Sequence, residues 1–202
     1  MSFQEVVYRP VFSRVLAVVT IVMCGLGVAA LFWSDPASAV RYMWPLVFVA
    51  ALAWALFWRP GLRVEEHGIT VENVLRTHFV PWPSIESIDT RFSLTLHTAA
   101  GRIAVWAAPA PGRHRTLGLA PGDFEGIGET ARGGAGELRP ADAVTTMSGN
   151  LAQLIRGRWE QLRGTGAFAS GVDPEASTTT WHWATIVLIA ALGVAAAISL
   201  LV

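Results

Sequence analysis

The chain has 202 residues, 52% of them hydrophobic and only 15% charged, so it falls well short of the charge carried by an average soluble domain. All 15 basic residues are arginine and 15 acidic residues cancel them, which excludes a nucleic-acid binder working through a strong basic field. A single cysteine, Cys24, supports neither an intramolecular disulfide nor a multi-cysteine zinc site.

Three stretches hold most of the apolar residues. Val15 to Trp33 is an uncharged run, about 28 Å long as a helix, enough to cross a hydrocarbon core. Tyr42 to Trp58 reads as a second span, with Pro45 in its first turn, where a missing N–H costs little. Trp181 to Val202 reads as a C-terminal anchor with His182 at its edge. Three buried core helices of this kind would leave a soluble domain too little polar surface. Tryptophans mark the predicted ends: Trp33 and Trp44 flank the loop between the first two spans, and Trp58, Trp181 and Trp183 lie at the opposite interface.

Arginines set the expected orientation. Arg9 and Arg14 precede the first span and Arg59 and Arg63 follow the second, whereas the intervening loop holds only Arg41, offset by Asp35. The positive-inside rule then makes this a multi-pass protein of the cytoplasmic membrane, with the N-terminus and the segment after residue 58 inside and the C-terminus outside. Arg9, Arg14, the apolar run and Ala37-Ser38-Ala39 also imitate a secretory signal with a cleavage site, although the run is long and bulky at its end for one. Cleavage there would leave the central segment cytoplasmic.

Residues 59–164 form the expected soluble domain. Leu62/Val64 and Ile69/Val71 alternate with polar residues around a Glu66-His67-Gly68 turn, the pattern of a hairpin with one buried face. A third strand is expected over His78 to Pro81. Phe92, Leu94 and Leu96, then Ile103 and Val105, predict a second hairpin turning on Gly101, which suits a positive φ. Residues 109–140 contain eight glycines and four prolines and predict a long loop, with at most a short strand near Thr116 to Leu119. From 141 to 163 the spacing of Val144, Met147, Leu151, Leu154/Ile155 and Leu162 turns helical, with Trp159 beside that face. Asp142 suits its start, Gly164 its end, and Arg156, Arg158 and Arg163 its negative dipole end. Residues 165–180 read as a flexible tether to the anchor at 181–202.

Gly68 between the first strands, the segment Pro81-Trp82-xx-Ile85-xx-Ile88 and the late hairpin on Gly101 together resemble the bacterial pleckstrin-homology-like (PH-like) domains of actinobacterial membrane proteins, including the low molecular weight protein antigen 6 type. The resemblance is tight over residues 63–109. With the apolar spans it implies an α+β membrane protein: three transmembrane helices plus a small antiparallel β-barrel or sheet capped by an amphipathic helix. Trp82, Ile85 and Ile88 make physical sense as core, in preference to an aromatic stack on a ligand.

Chemistry is sparse. His67, His78, His97, His114 and His182 are dispersed without a metal-ligand spacing and read as surface or interface residues, and no nucleophile elbow, Walker loop or dinucleotide fingerprint follows a predicted strand. The expected spans lack Asp, Glu and Lys, with Arg14 at one margin, so a proton relay has no parts. No cofactor and no metal are expected. Phosphoinositide recognition, which the resemblance suggests, is opposed by the acidic Glu65-Glu66 turn. Arg113-His114-Arg115 is the candidate contact for anionic headgroups or a partner, against a solvated loop charge balanced by later carboxylates. Gly25-xxx-Ala29 and Gly193-xxx-Ala197 permit close helix packing within one chain or between copies. The expected function is non-enzymatic: a cytoplasmic PH-like domain held at the bilayer to recruit or scaffold a protein partner. The alternative is an anionic-lipid sensor acting through Arg113 and Arg115.

Overall fold

Period-two alternation becomes pairing in the structure, a computed structural model that describes residues 5–90, 93–109, 147–166, 168 and 177–201. In chain order the elements are β1 (Val6–Tyr8), α1 (Val11–Ser34), α2 (Pro36–Ala53) running into a π-helical turn (Trp54–Trp58), β2 (Gly61–Val64), β3 (Gly68–Glu72), β4 (Arg76–Pro81), a 3-10 turn (Trp82–Ser84), β5 (Ile85–Asp89), β6 (Ser93–Thr98), β7 (Gly101–Pro109), α3 (Met147–Gly164), β8 (Thr178–Trp181) and α4 (Trp183–Leu201). The fold is α+β, with antiparallel sheets and three helices, Val11–Ser34, Pro36–Trp58 and Trp183–Leu201, long and apolar enough to cross a membrane. The described residues divide into two compact units. One contains residues up to Tyr8, Gly61–Glu72 and His78–Thr179; the other contains Arg9–Pro60, Asn73–Thr77 and the chain from Thr180.

In the sheet unit the strands form a five-stranded sheet, β1-β2-β3-β4-β8, and a three-stranded sheet, β5-β6-β7, which are not closed into one barrel. Register follows the predicted faces: Leu62 pairs with Val71 and Val64 with Ile69, all four fully buried, while Arg63 and Thr70 turn to the other face. Leu94, Leu96, Ile103 and Val105 complete the interior from the second sheet, and Leu151, Ala152 and Ile155 of α3 cover it. Gly101 adopts φ 131° in the β6–β7 turn. No atom would crowd a side chain there, so Gly101→Ala is expected to cost about 1–3 kcal/mol through backbone conformation alone, read as a lower midpoint in thermal unfolding of the full chain in detergent.

Several expectations change. Thr178–Trp181, expected as the end of a flexible tether and the start of the anchor, is the edge strand β8, so α4 starts at Trp183. The other edge is β1, whose Val6 and Tyr8 pair with Val64 and Leu62. On α3, Leu154 is 37% exposed and Ala152 takes the buried place, because the covering stripe runs through Leu151, Ala152 and Ile155. The helix includes Gly164, and the left-handed glycine after its end is Gly166, φ 71°, whose N–H is bonded to the Arg163 carbonyl. His78, read as a surface or interface residue, is buried with Nδ1 2.8 Å from Thr179 Oγ1.

In the helical unit, α2 begins at Pro36, six residues before the expected Tyr42. Asp35 alone joins α1 to α2: its N–H closes α1 on the Leu31 carbonyl, and its carboxylate accepts from Ala37 N and the Ser38 hydroxyl. Those hydrogen bonds, the Ser38 hydroxyl first, hold the Asp35 carboxyl below its usual range, so the cap is lost only as pH falls through that lowered value. Pro36, not Pro45, is the first-turn proline, and Pro45 sits inside the helix, where lost backbone bonding is tolerated in membrane helices. Trp44 and Arg41 are consequently helical, not flanking a loop, and Arg41 Nε donates to the Ser199 carbonyl at 3.2 Å.

Helix α2 packs against both α1 and α4. Of the two glycines expected at close approaches, Gly193 is at one and Gly25 is not, its place being taken by Gly27. A Cβ on Gly27 would meet Leu46 Cδ1 at 3.1 Å, and one on Gly193 would meet Phe48 Cε2 at 3.2 Å, while Gly25 has nothing within 4 Å. Ala29 and Ala197 are exposed; Cys24 of α1 and Ala196 and Ser199 of α4 are the buried neighbours. The small-residue spacing is real, but the register that faces α2 is set by side chains on α2.

Candidate binding site

The turn between β2 and β3 is locked from below. Glu65 N–H donates to the Gly68 carbonyl, and Trp82, 2% exposed, donates its Nε1–H to the carbonyls of Glu65 and Glu66, each at 3.1 Å. Trp82 N–H also reaches the His67 carbonyl at 3.4 Å. Proline shapes this junction: Pro81 is extended and Pro83 lies in the first positions of the 3-10 turn, which swings the ring under the hairpin. Ile85 is buried and Ile88 is partly buried against the same core. Gly68 has an ordinary φ; it is glycine because Val80 O and Pro81 Cα press on the space a Cβ would fill. Thus Gly68, Pro81, Trp82, Ile85 and Ile88 come together as one junction, with Gly101 elsewhere at the tip of the second hairpin.

Two clefts flank α3. One, of 260 Å³, is lined by Glu66, His67, Trp82, Pro83, Arg158, Leu162 and Phe168. The other, of 170 Å³, lies between α3 and strand β5. Both fall below the range of about 300–1,000 Å³ usual for small-molecule and cofactor pockets. Among the described residues no group of three or more His, Cys, Asp or Glu is placed to hold a metal.

The β5 cleft has the more distinctive chemistry. Strand β5 pairs with β6 and ends its sheet, so its outer edge forms one wall. A register shift between Ile85 and Ser87 leaves Glu86 without a cross-strand partner, and Glu86 and Ser87 are exposed. The opposite wall is α3. Arg156, 8% exposed, donates from Nη2 to the Ile88 carbonyl at 3.0 Å and so caps part of the edge. Arg163 lies over the Trp159 ring, 5.2 Å from its centroid. Two guanidiniums, one indole and one carboxylate therefore meet at a strand edge that the described residues cover only in part.

Arg156 and Arg163 were expected to complement the helix dipole. Only Arg163 sits in the last turn; Arg156 is drawn inward because it falls one turn after buried Ala152 and beside buried Ile155. That i, i+4 spacing from an apolar residue places Arg156 near the buried face, but its partner, the Ile88 carbonyl, has no mark in the sequence. Arg113, His114 and Arg115, together with the proposed strand at 116–119 and Val144 and Asp142, lie outside the described residues. The remaining histidines are not gathered: His182 Nε2 is 3.0 Å from Thr77 Oγ1, and His67 is exposed. Tyr8 is half-buried with its phenol pushed above the usual range by that burial.

Residues 59–146 match the bacterial PH domain. No curated protein and no solved structure matches the chain. The match covers β2 to β7 and leaves β1, α1, α2, α3, β8 and α4 outside it. PH domains are in general non-catalytic modules, and the PH-like region here supports a binding or scaffolding role.

Proposed function

We propose that the chain is a non-enzymatic integral membrane protein of the cytoplasmic membrane whose PH-like region recruits a protein partner through the β5–α3 cleft. The observation that carries this is the β5 edge, which the described residues cover only in part, facing Arg156, Trp159 and Arg163. An extended segment laid along such an edge gains main-chain hydrogen bonds, and Arg163 beside Trp159 favours an acidic one. Three helices apolar enough to span a bilayer support the membrane address, and Arg9, Arg14, Arg59 and Arg63 favour a cytoplasmic N-terminus and PH-like region with the C-terminus outside.

The test is a photo-crosslinking residue at Ser87 in the full chain, activated in native membranes. A discrete adduct is expected at Ser87 and not at Ala99 in the β6–β7 turn, falling about tenfold with Arg163→Glu, as removal and reversal of one contact charge predicts. Equal labelling at both positions, or labelling indifferent to Arg163→Glu, would overturn the cleft as the contact. An adduct with an extracytoplasmic protein would overturn the orientation.

A further inference from the structure

The helical unit has an unbalanced charge. Arg9, Arg14, Arg41, Arg59 and Arg76 belong to it, and Asp35 is its single acidic side chain. Asp35 joins α1 to α2 and is held by its own cap, about 36 Å along α1 from Val11. The start of α1, the end of α2 and the start of α4 are therefore far from any acid within the unit.

At that end the guanidiniums rest on indoles. Arg14 lies 5.1 Å from the Trp58 ring centroid, Arg59 lies 5.6 Å from Trp54, and Arg76 lies 5.4 Å from Trp181, which stacks on Trp183. These groups share one end of the bundle: Arg59 Nη1 donates to Thr185 Oγ1 of α4 at 2.6 Å, and His182 N–H donates to the carbonyl of Leu75, the residue before Arg76 at the start of β4. A guanidinium stacked on a ring uses its face and keeps its in-plane N–H fork for a planar or tetrahedral anion. Arg14 Nε is buried and has no hydrogen-bond partner among the described residues. The N-cap of α1 is Pro10, which supplies no side-chain acceptor, and the first turn, which holds Arg14, contains no acidic residue to offset the positive end of the dipole.

We propose that Arg14, Arg59 and Arg76, seated on Trp58, Trp54 and Trp181, bind the headgroup phosphates of anionic phospholipids in the leaflet at that end of the bundle. Its residues are different from those of the PH-like cleft and from Arg113 and Arg115. It rests on the reading that the three helices cross a bilayer. The indoles hold the cations at headgroup depth, and the lipid supplies the missing negative charge.

The experiment reconstitutes the full chain into phosphatidylcholine vesicles containing a minority of phosphatidylglycerol and compares motionally restricted spin-labelled phosphatidylglycerol with spin-labelled phosphatidylcholine. An anionic preference of about fivefold is expected, weakening as salt is raised. The triple variant Arg14→Gln, Arg59→Gln, Arg76→Gln should bring the ratio close to one while restricting the same total lipid. Arg14→Lys, Arg59→Lys, Arg76→Lys, which keeps the charge, should retain part of the preference. Arg113→Ala with Arg115→Ala should leave it unchanged, and inorganic phosphate at constant ionic strength should not compete. Absence of preference in the unsubstituted protein overturns the proposal even if the glutamine variant fails to fold. Loss with the Arg113/Arg115 pair, or competition by inorganic phosphate, overturns it in favour of the loop or of a free-anion site. A chain that does not enter the vesicles overturns the membrane reading itself, which the lipid ratio cannot do.

Discussion

Trp82→Ala is expected to lower the stability of the sheet unit by about 3–5 kcal/mol, the usual cost of truncating a fully buried tryptophan. The ring is 2% exposed within a cluster that includes Val64, Ile69, Val80 and Ile85, so its removal leaves a cavity lined by both strands of the first hairpin. It also removes the donor that engages the Glu65 and Glu66 carbonyls, which loosens the turn as well as the core. Trp82→Phe separates the two contributions: it keeps most of the apolar surface and loses the N–H, and should cost about 1 kcal/mol for the hydrogen bond in addition to a smaller packing loss. Pulse proteolysis of the full chain in detergent across a urea series reads both, through cleavage within residues 61–108. A loss below about 1 kcal/mol for Trp82→Ala would place the ring outside the core and reopen its reading as a ligand platform.

What could be read from the sequence follows the range of the interaction responsible. Leu62/Val64 against Ile69/Val71 depends on a hairpin closed by three residues, and the period-two pattern carries its register. Gly101 is equally local, since a tight turn between alternating strands leaves few residues able to take its backbone angle. The apolar spans were legible through length and composition alone. By contrast, β1 and β8 are short edges whose pairing partners lie more than fifty residues away by sequence in one case and a hundred in the other, so neither has a local pattern to announce it. The start of α2 was hidden for another reason: Pro36 after Asp35 looks like a loop by composition, yet an aspartate N-cap followed by proline is a strong helix start. In the site, Trp82 was legible as core because aromatic area dominates such positions. Arg156 was not, because its place depends on how α3 meets the Ile88 carbonyl, a contact spanning 68 positions.

Gly68→Val should be at least as damaging as the loss of Trp82, through the opposite fault. A Cβ at Gly68 would lie 2.5 Å from Val80 O, 3.0 Å from Pro81 Cα and 3.0 Å from Phe79 Cζ. Phe79 can rotate, but the other two atoms are backbone, so β4 must move away from β3 and carry the 3-10 turn with it. Gly68→Ala is then expected to cost about 1–3 kcal/mol, and the branched valine more, as overpacking of a fixed interior does. Gly25→Ala, where nothing lies within 4 Å, should be close to neutral and serves as the matched control. The mechanism has a sharper consequence than the size of the loss. If the added Cβ acts by withdrawing the segment that seats Trp82, the ring has already lost part of its packing in Gly68→Ala, and the double variant with Trp82→Ala should be less destabilised than the two single losses added. A coupling of about 0.5–3 kcal/mol is expected for residues sharing one junction. Strict additivity in the same urea series would show that the clash at Gly68 is absorbed locally by β3, and that the glycine and the tryptophan do not form one structural unit.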